Sequence, residues 1–202
     1  MRTVAVWSAV LSYVLLLAVI VGGGAAFPGY DHVSNYISEL GATGAPHGKL
    51  VSLWGFLPSG LLLVVFAATA FLATPRSVAS AFGFALLAAY AAGLAAAGVY
   101  PCDAGCSRAD PSFDQLMHDL WGAPGYLLAP VMMGLLAAAA RGWPGARHLL
   151  WAGAAGVLVT AAALPMVIGE FELRGLAQRA LEGVIGLWVL LCALWLARRP
   201  AA

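Results

Sequence analysis

Three groups of polar residues in this sequence are of types and at spacings that could do chemistry. The first is Tyr100-Pro-Cys-Asp-Ala-Gly-Cys106, followed downstream by Asp114 and His118. Asp114 and His118 are four residues apart, so on a helix they share a face. A carboxylate beside an imidazole orients the ring, raises its basicity or holds a metal with it. With Asp103 close by, Asp103 and His118 are the candidates for acid/base catalysis or for a zinc site; the plainer alternative is a hydrogen-bonded histidine at an interface. Cys102 and Cys106 bracket Asp-Ala-Gly and on an oxidising face could close a disulfide that stiffens the turn. A thiol–disulfide exchange site would need a second dithiol, and the chain has only one further cysteine, Cys192.

The second group is Asp31-His-Val-Ser-Asn-Tyr-Ile-Ser-Glu-Leu-Gly41, which offers Ser38 and Glu39 as catalytic candidates. Val33, Tyr36, Ile37 and Leu40 recur at i, i+3, i+4 and i+7, the pattern of one helical face. Asp31 suits an N-cap and Gly41 a C-terminal stop, which predicts a short amphipathic helix lying in the membrane interface. The third is Glu170-Phe-Glu-Leu-Arg-Gly-Leu-Ala-Gln-Arg-Ala-Leu-Glu182. There Glu170 with Arg174, Arg174 with Gln178, and Gln178 with Glu182 are i,i+4 neighbours. Glu182 falls inside an apolar run, where a lone charge is expensive, and Arg179 is the nearest partner. This pair is read either as a structural ion pair or as a substrate-binding site holding an anionic headgroup on Arg179.

The elements that must position these residues follow from composition. Of 202 residues, 62% are hydrophobic and 9% charged, against roughly 25% charged in soluble domains. The formal net charge is +1, which argues for no nucleic-acid partner. Six stretches satisfy the need for about 20 apolar residues per membrane span: Thr3–Phe27, Lys49–Ala73, Ser77–Tyr100, His118–Ala140, His148–Gly169 and Arg179–Ala197. The fold class is therefore all-α, a single six-span transmembrane bundle over residues 1–202. Its immediate partner is membrane lipid, and a lipid or small-molecule ligand is allowed. Pro58, Pro124, Pro130 and Pro165 fall within spans and can kink them. The Ala- and Gly-rich third, fourth and fifth spans read as close helix packing.

Arg2, Arg76, Arg141, Arg147, Arg198 and Arg199 flank one side of the spans; Lys49, Arg108, Arg174 and Arg179 flank the other. Positive charge in short loops marks the cytoplasmic side, so both termini are expected in the cytoplasm, with the chain in the cell membrane. All nine acidic residues lie in or beside the three outer connections, which places any chemistry at the outer face. The first apolar run is long for a cleaved signal peptide, so it is read as a retained span.

The outer motifs bring a family into view. Tyr-Asp-His-Val-Ser-Asn-Tyr-Ile-Ser-Glu-Leu-Gly after the first span resembles a signature of the domain of unknown function 998 family. Tyr-Pro-Cys-Asp-Ala-Gly-Cys, followed by His118 opening the next span, is similar to its second motif, and Gly175-Leu-Ala-Gln-Arg179 to its third. The resemblance implies a multi-pass bacterial or archaeal membrane protein and singles out Ser38, Glu39, Asp103, His118 and Arg179 without implying a reaction. A looser likeness is to the alkaline ceramidases and adiponectin receptors, seven-span zinc amidases. The chain has no His-x-x-x-His on its last span and no histidine after His148, which speaks against their zinc site. Three functions stay open: an enzyme acting on a lipid or lipid-linked substrate at the outer leaflet, a ligand-binding or transport module, and an accessory subunit.

Overall fold

In a computed structural model, described for all residues except 170 and 200–202, the chain is helical, with no strand among the described residues. The helices are α1 Arg2–Ala25, α2 Gly48–Ala73, α3 Val78–Val99, α4 Phe113–Leu127, α5 Ala129–Ala140, α6 Arg147–Ile168 and α7 Arg174–Ala197. α1, α2, α3, α6 and α7 are each long and apolar enough to cross a membrane; α4 and α5 pass the same test only when taken together, bent by 42°, as one broken span or a re-entrant loop. The protein is thus a membrane-embedded, multi-pass bundle of about six helices, as composition requires.

The bend between α4 and α5 has a local cause. Pro130 has no N–H to give the Tyr126 carbonyl, so the helical ladder is interrupted at Leu128 and resumes in α5. The expected span His118–Ala140 is therefore interrupted, and its first half begins earlier, at Phe113. Ser112 caps that half by accepting the Gln115 N–H at 3.2 Å.

α7 likewise begins at Arg174, more than a turn before the apolar run. Gly175 explains how. A Cβ there would collide with the Asn35 carbonyl oxygen, so only glycine lets the helix press against the α1–α2 connection. The contact is sealed by the Leu176 N–H donating to the Val33 carbonyl at 2.9 Å. Gly60 does the same service between α2 and α3, where a side chain would overlap the Ala95 backbone.

The two ends of the bundle differ. At the end carrying the termini, Phe84, Trp143, Trp188 and Trp195 stack into one aromatic cluster, with Trp143 and Trp195 centroids 5.3 Å apart. Their indole N–H groups donate to the carbonyls of Pro75, Leu149 and Pro144, so no polar atom of the cluster is left unmet. That end is closed. The opposite end, where the α1–α2, α3–α4 and α6–α7 connections meet, holds a cavity.

Candidate functional site

The first connection is built by two acids that cap it. Asp31 accepts the Val33 N–H, the Ser34 N–H and the Ser34 hydroxyl, the last at 2.8 Å. The hydroxyl of Ser34 holds its carboxyl below the usual range, helped by the Val33 amide. Glu39 is buried and accepts the Tyr36 N–H at 2.9 Å and the Asn35 amide at 2.8 Å, with the Arg174 guanidinium 3.6 Å away. These bonds shape a capped turn followed by a five-residue 3₁₀ helix, Ile37–Gly41, where a longer amphipathic helix was expected. The segment does not float in the interface. Tyr36, Ile37 and Leu40 are buried in the bundle, and the Tyr36 hydroxyl reaches the Val167 carbonyl at 2.6 Å.

Arg179 is the clamp on this connection. Its Nη1 donates to the carbonyls of Asn35 and Gly175, both at 2.9 Å, and its Nη2 to the Tyr30 hydroxyl. The expected pairing of Arg179 with Glu182 is not formed; the guanidinium turns outward to the connection, because backbone carbonyls there would otherwise lose their donors. Glu170, expected to pair with Arg174, lies outside the described residues.

In the second connection Cys102 and Cys106 form a disulfide. Asp103 accepts the Ser112 N–H at 2.9 Å and its hydroxyl at 2.7 Å, while the Asp103 N–H donates to Gln115 at 3.0 Å. Donation from the Ser112 backbone, reinforced by its hydroxyl, holds the Asp103 carboxyl below the usual range. Asp103 thus ties the disulfide turn to the start of α4. His118 pairs not with Asp114 but with the Tyr100 carbonyl, Nδ1 to oxygen at 2.9 Å. A carbonyl only accepts, so Nδ1 carries the proton and the neutral ring presents Nε2 as a lone pair. Beside it Asp119 and Arg108 form an ion pair at 2.8 Å.

Between these connections and the helices lies a cavity of about 400 Å³, within the range of ligand pockets. Phe56, Leu94, Ala97, Leu127 and Val167 give it apolar walls. Ser38, His118, Asp119 and Arg108 line one region; Tyr90, Tyr126, Gln178 and Glu182 another. Glu182 is 8% exposed. Its Oε1 accepts the Tyr126 hydroxyl at 2.7 Å, its Oε2 the Tyr90 hydroxyl, and Gln178 donates to Tyr126 at 2.8 Å. The partners of Glu182 are therefore phenols from α3 and α4, not the arginine one turn earlier.

Of the residues singled out from sequence, Ser38, His118 and Glu182 line the cavity, and Cys106 joins them. Asp103, Glu39 and Arg179 brace the connections around it. Among the described residues no three His, Cys, Asp or Glu side chains gather into a group that could hold a metal ion.

A family model described as Protein of unknown function (DUF998) matches residues 10–195. The chain belongs to this family. No curated protein and no solved structure matches it. Tyr90 and Tyr126 went unremarked in the sequence, although a signal was present. A carboxylate inside a span needs donors, and a tyrosine set in an apolar run, as both of these are, is a donor held at membrane depth. In this DUF998 chain the three sequence motifs thus frame the cavity, while tyrosines outside them furnish part of its polar lining.

Proposed function

We propose that this protein binds an amphiphilic ligand, a lipid or a lipid-linked small molecule, in the cavity between its outer connections. The single observation that carries the reading is the lining: apolar walls interrupted by two polar groups, one around His118, Asp119 and Arg108 and one around Glu182. An apolar body with a polar function matches such a surface, whereas a fully polar solute would leave the walls unsatisfied. In this reading the protein has six spans in a bacterial cytoplasmic membrane, with both termini in the cytoplasm and the cavity reached from the outer leaflet. The arginine-rich short connections at the other end support that orientation.

Gly122 gives the test. It lines the cavity, and a Cβ built there meets nothing within 4 Å. Native mass spectrometry of the protein released from membranes should show a retained amphiphile. Gly122→Trp should lose it while melting at nearly the same temperature. A tryptophan variant that retains the same adduct would sink the reading.

Catalysis on that ligand is a second reading, favoured by the lone pair that His118 can present in a cavity that Ser38 also lines. His118 would be the base and Ser38 a nucleophile or positioning hydroxyl. Asp103 and Glu39 would then act as braces, since their oxygens are engaged by the backbone and side chains they cap. Loss of turnover in His118→Ala, with ligand binding retained, is the result this reading requires.

A further inference from the structure

Glu182 poses a question of charge balance. The Ile37 N–H donates to Gln178 Oε1 at 2.6 Å, which leaves the amide nitrogen of Gln178 to face Tyr126. Tyr126 accepts that bond and so points its own proton at Glu182 Oε1. Tyr90 meets Oε2. Two phenols therefore stabilise negative charge on this side chain, yet they supply no positive charge.

The protein supplies none either. Among the described residues no Arg, Lys or His is paired with Glu182; the ion pairs formed are Arg108 with Asp119 and Arg174 with Glu39. Arg179, closest in sequence, is bonded to Asn35, Gly175 and Tyr30. A buried carboxylate stays charged only with a cation beside it. A second observation points the same way. The Tyr13 hydroxyl is buried and has no hydrogen-bond partner, and its ring lies against Gly186, one turn beyond Glu182 on α7. The Tyr90 and Tyr126 rings, centroids 6.3 Å apart and roughly perpendicular, present aromatic surface beside the carboxylate.

We infer that the ligand of this cavity is a cationic amphiphile, whose ammonium group sits against Glu182 among the tyrosines and whose apolar body lies along Phe56, Leu94 and Val167. A carboxylate set among aromatic rings is the chemistry that recognises ammonium. The inference rests on the cavity being a ligand site and adds the charge of the ligand.

The test uses the full chain in nanodiscs of a neutral, amine-free galactolipid, with octyltrimethylammonium, octanol and octyl sulfate as probes of equal chain length. Calorimetric titration, corrected against empty nanodiscs, should show the cation binding about ten-fold or more tighter than octanol. Glu182→Gln should bring the two together while leaving octanol within about two-fold of its original affinity. Equal affinities in the unaltered protein, or a preference for octyl sulfate, would overturn the cationic ligand and leave the cavity standing. No binding by any probe would overturn the cavity itself. If Glu182→Gln fails to fold, the ratio in the unaltered protein still decides. Adding phosphatidylethanolamine to the nanodiscs assigns the source: competition with the cationic probe marks a lipid headgroup, and its absence a free amine, both consistent with the inference.

Discussion

Tyr126 and Glu182 join the bent α4–α5 pair to the last helix: the phenol of α4 donates to the carboxylate of α7 at 2.7 Å and accepts from Gln178 of the same helix at 2.8 Å. Because Gln178 also takes the Ile37 N–H, one line of polar atoms runs from the first connection to the cavity. Tyr126→Phe removes the middle of that line and leaves a buried amide and a carboxylate oxygen each short of one bond. The expected loss of stability is about 1–3 kcal/mol, read as a lowered midpoint in thermal unfolding in detergent. An unchanged midpoint would mean the line carries no stabilisation.

Glu39 is an acceptor on both oxygens, one facing the Tyr36 N–H and the other the Asn35 amide. Glu39→Gln is nearly isosteric but must turn an NH₂ toward one of those donors. The expected cost is about 1–3 kcal/mol, with faster amide exchange over residues 31–41. Exchange unchanged there would show that the carboxylate does not hold the 3₁₀ turn.

Asp103 sets a pH dependence. Its folded carboxyl sits below the ordinary value because Ser112 donates to it, and the unfolded reference is about 3.9. The stabilisation is therefore present in full above that reference and is lost as pH falls through the folded value. Stability curves of the wild type and Asp103→Asn should run parallel above about pH 5 and converge below about pH 4. Parallel curves throughout would separate Asp103 from acid sensitivity. Ligand binding near neutral pH should survive the change, since Asp103 does not line the cavity.

The sequence made the crossings legible because hydropathy over some twenty residues has no other outlet. It also placed the polar residues at one end, since acids inside spans are costly. What it concealed was tertiary. α4 and α7 begin before their apolar runs because Gln115 and Gln178 are helical yet buried against partners from elsewhere in the chain, so local hydropathy understates them. The partner of Glu182 was sought one turn away at Arg179, where spacing points. The actual donors, Tyr90 and Tyr126, lie 92 and 56 residues from it along the chain, and only the fold, which sets them around the same cavity, brings them near. Asp103 and His118, close in the reading, diverge because each is engaged by a backbone group that no side-chain pattern reveals.

The disulfide Cys102–Cys106 bears on the cavity through its two ends. The Cys102 carbonyl receives the Thr43 N–H at 2.8 Å, so the turn is fastened to the first connection, while Cys106 lines the cavity. The closed loop is short, with a separation of 4 residues, so chain entropy alone assigns it about 2 kcal/mol. Replacing both cysteines by serine should lower stability by about that amount and make the wild type, but not the variant, sensitive to reductant. Ligand affinity should fall as well, because Cys106 itself lines the cavity and the bridge holds it there. Were stability to fall with affinity untouched, the disulfide would be a brace for the bundle alone.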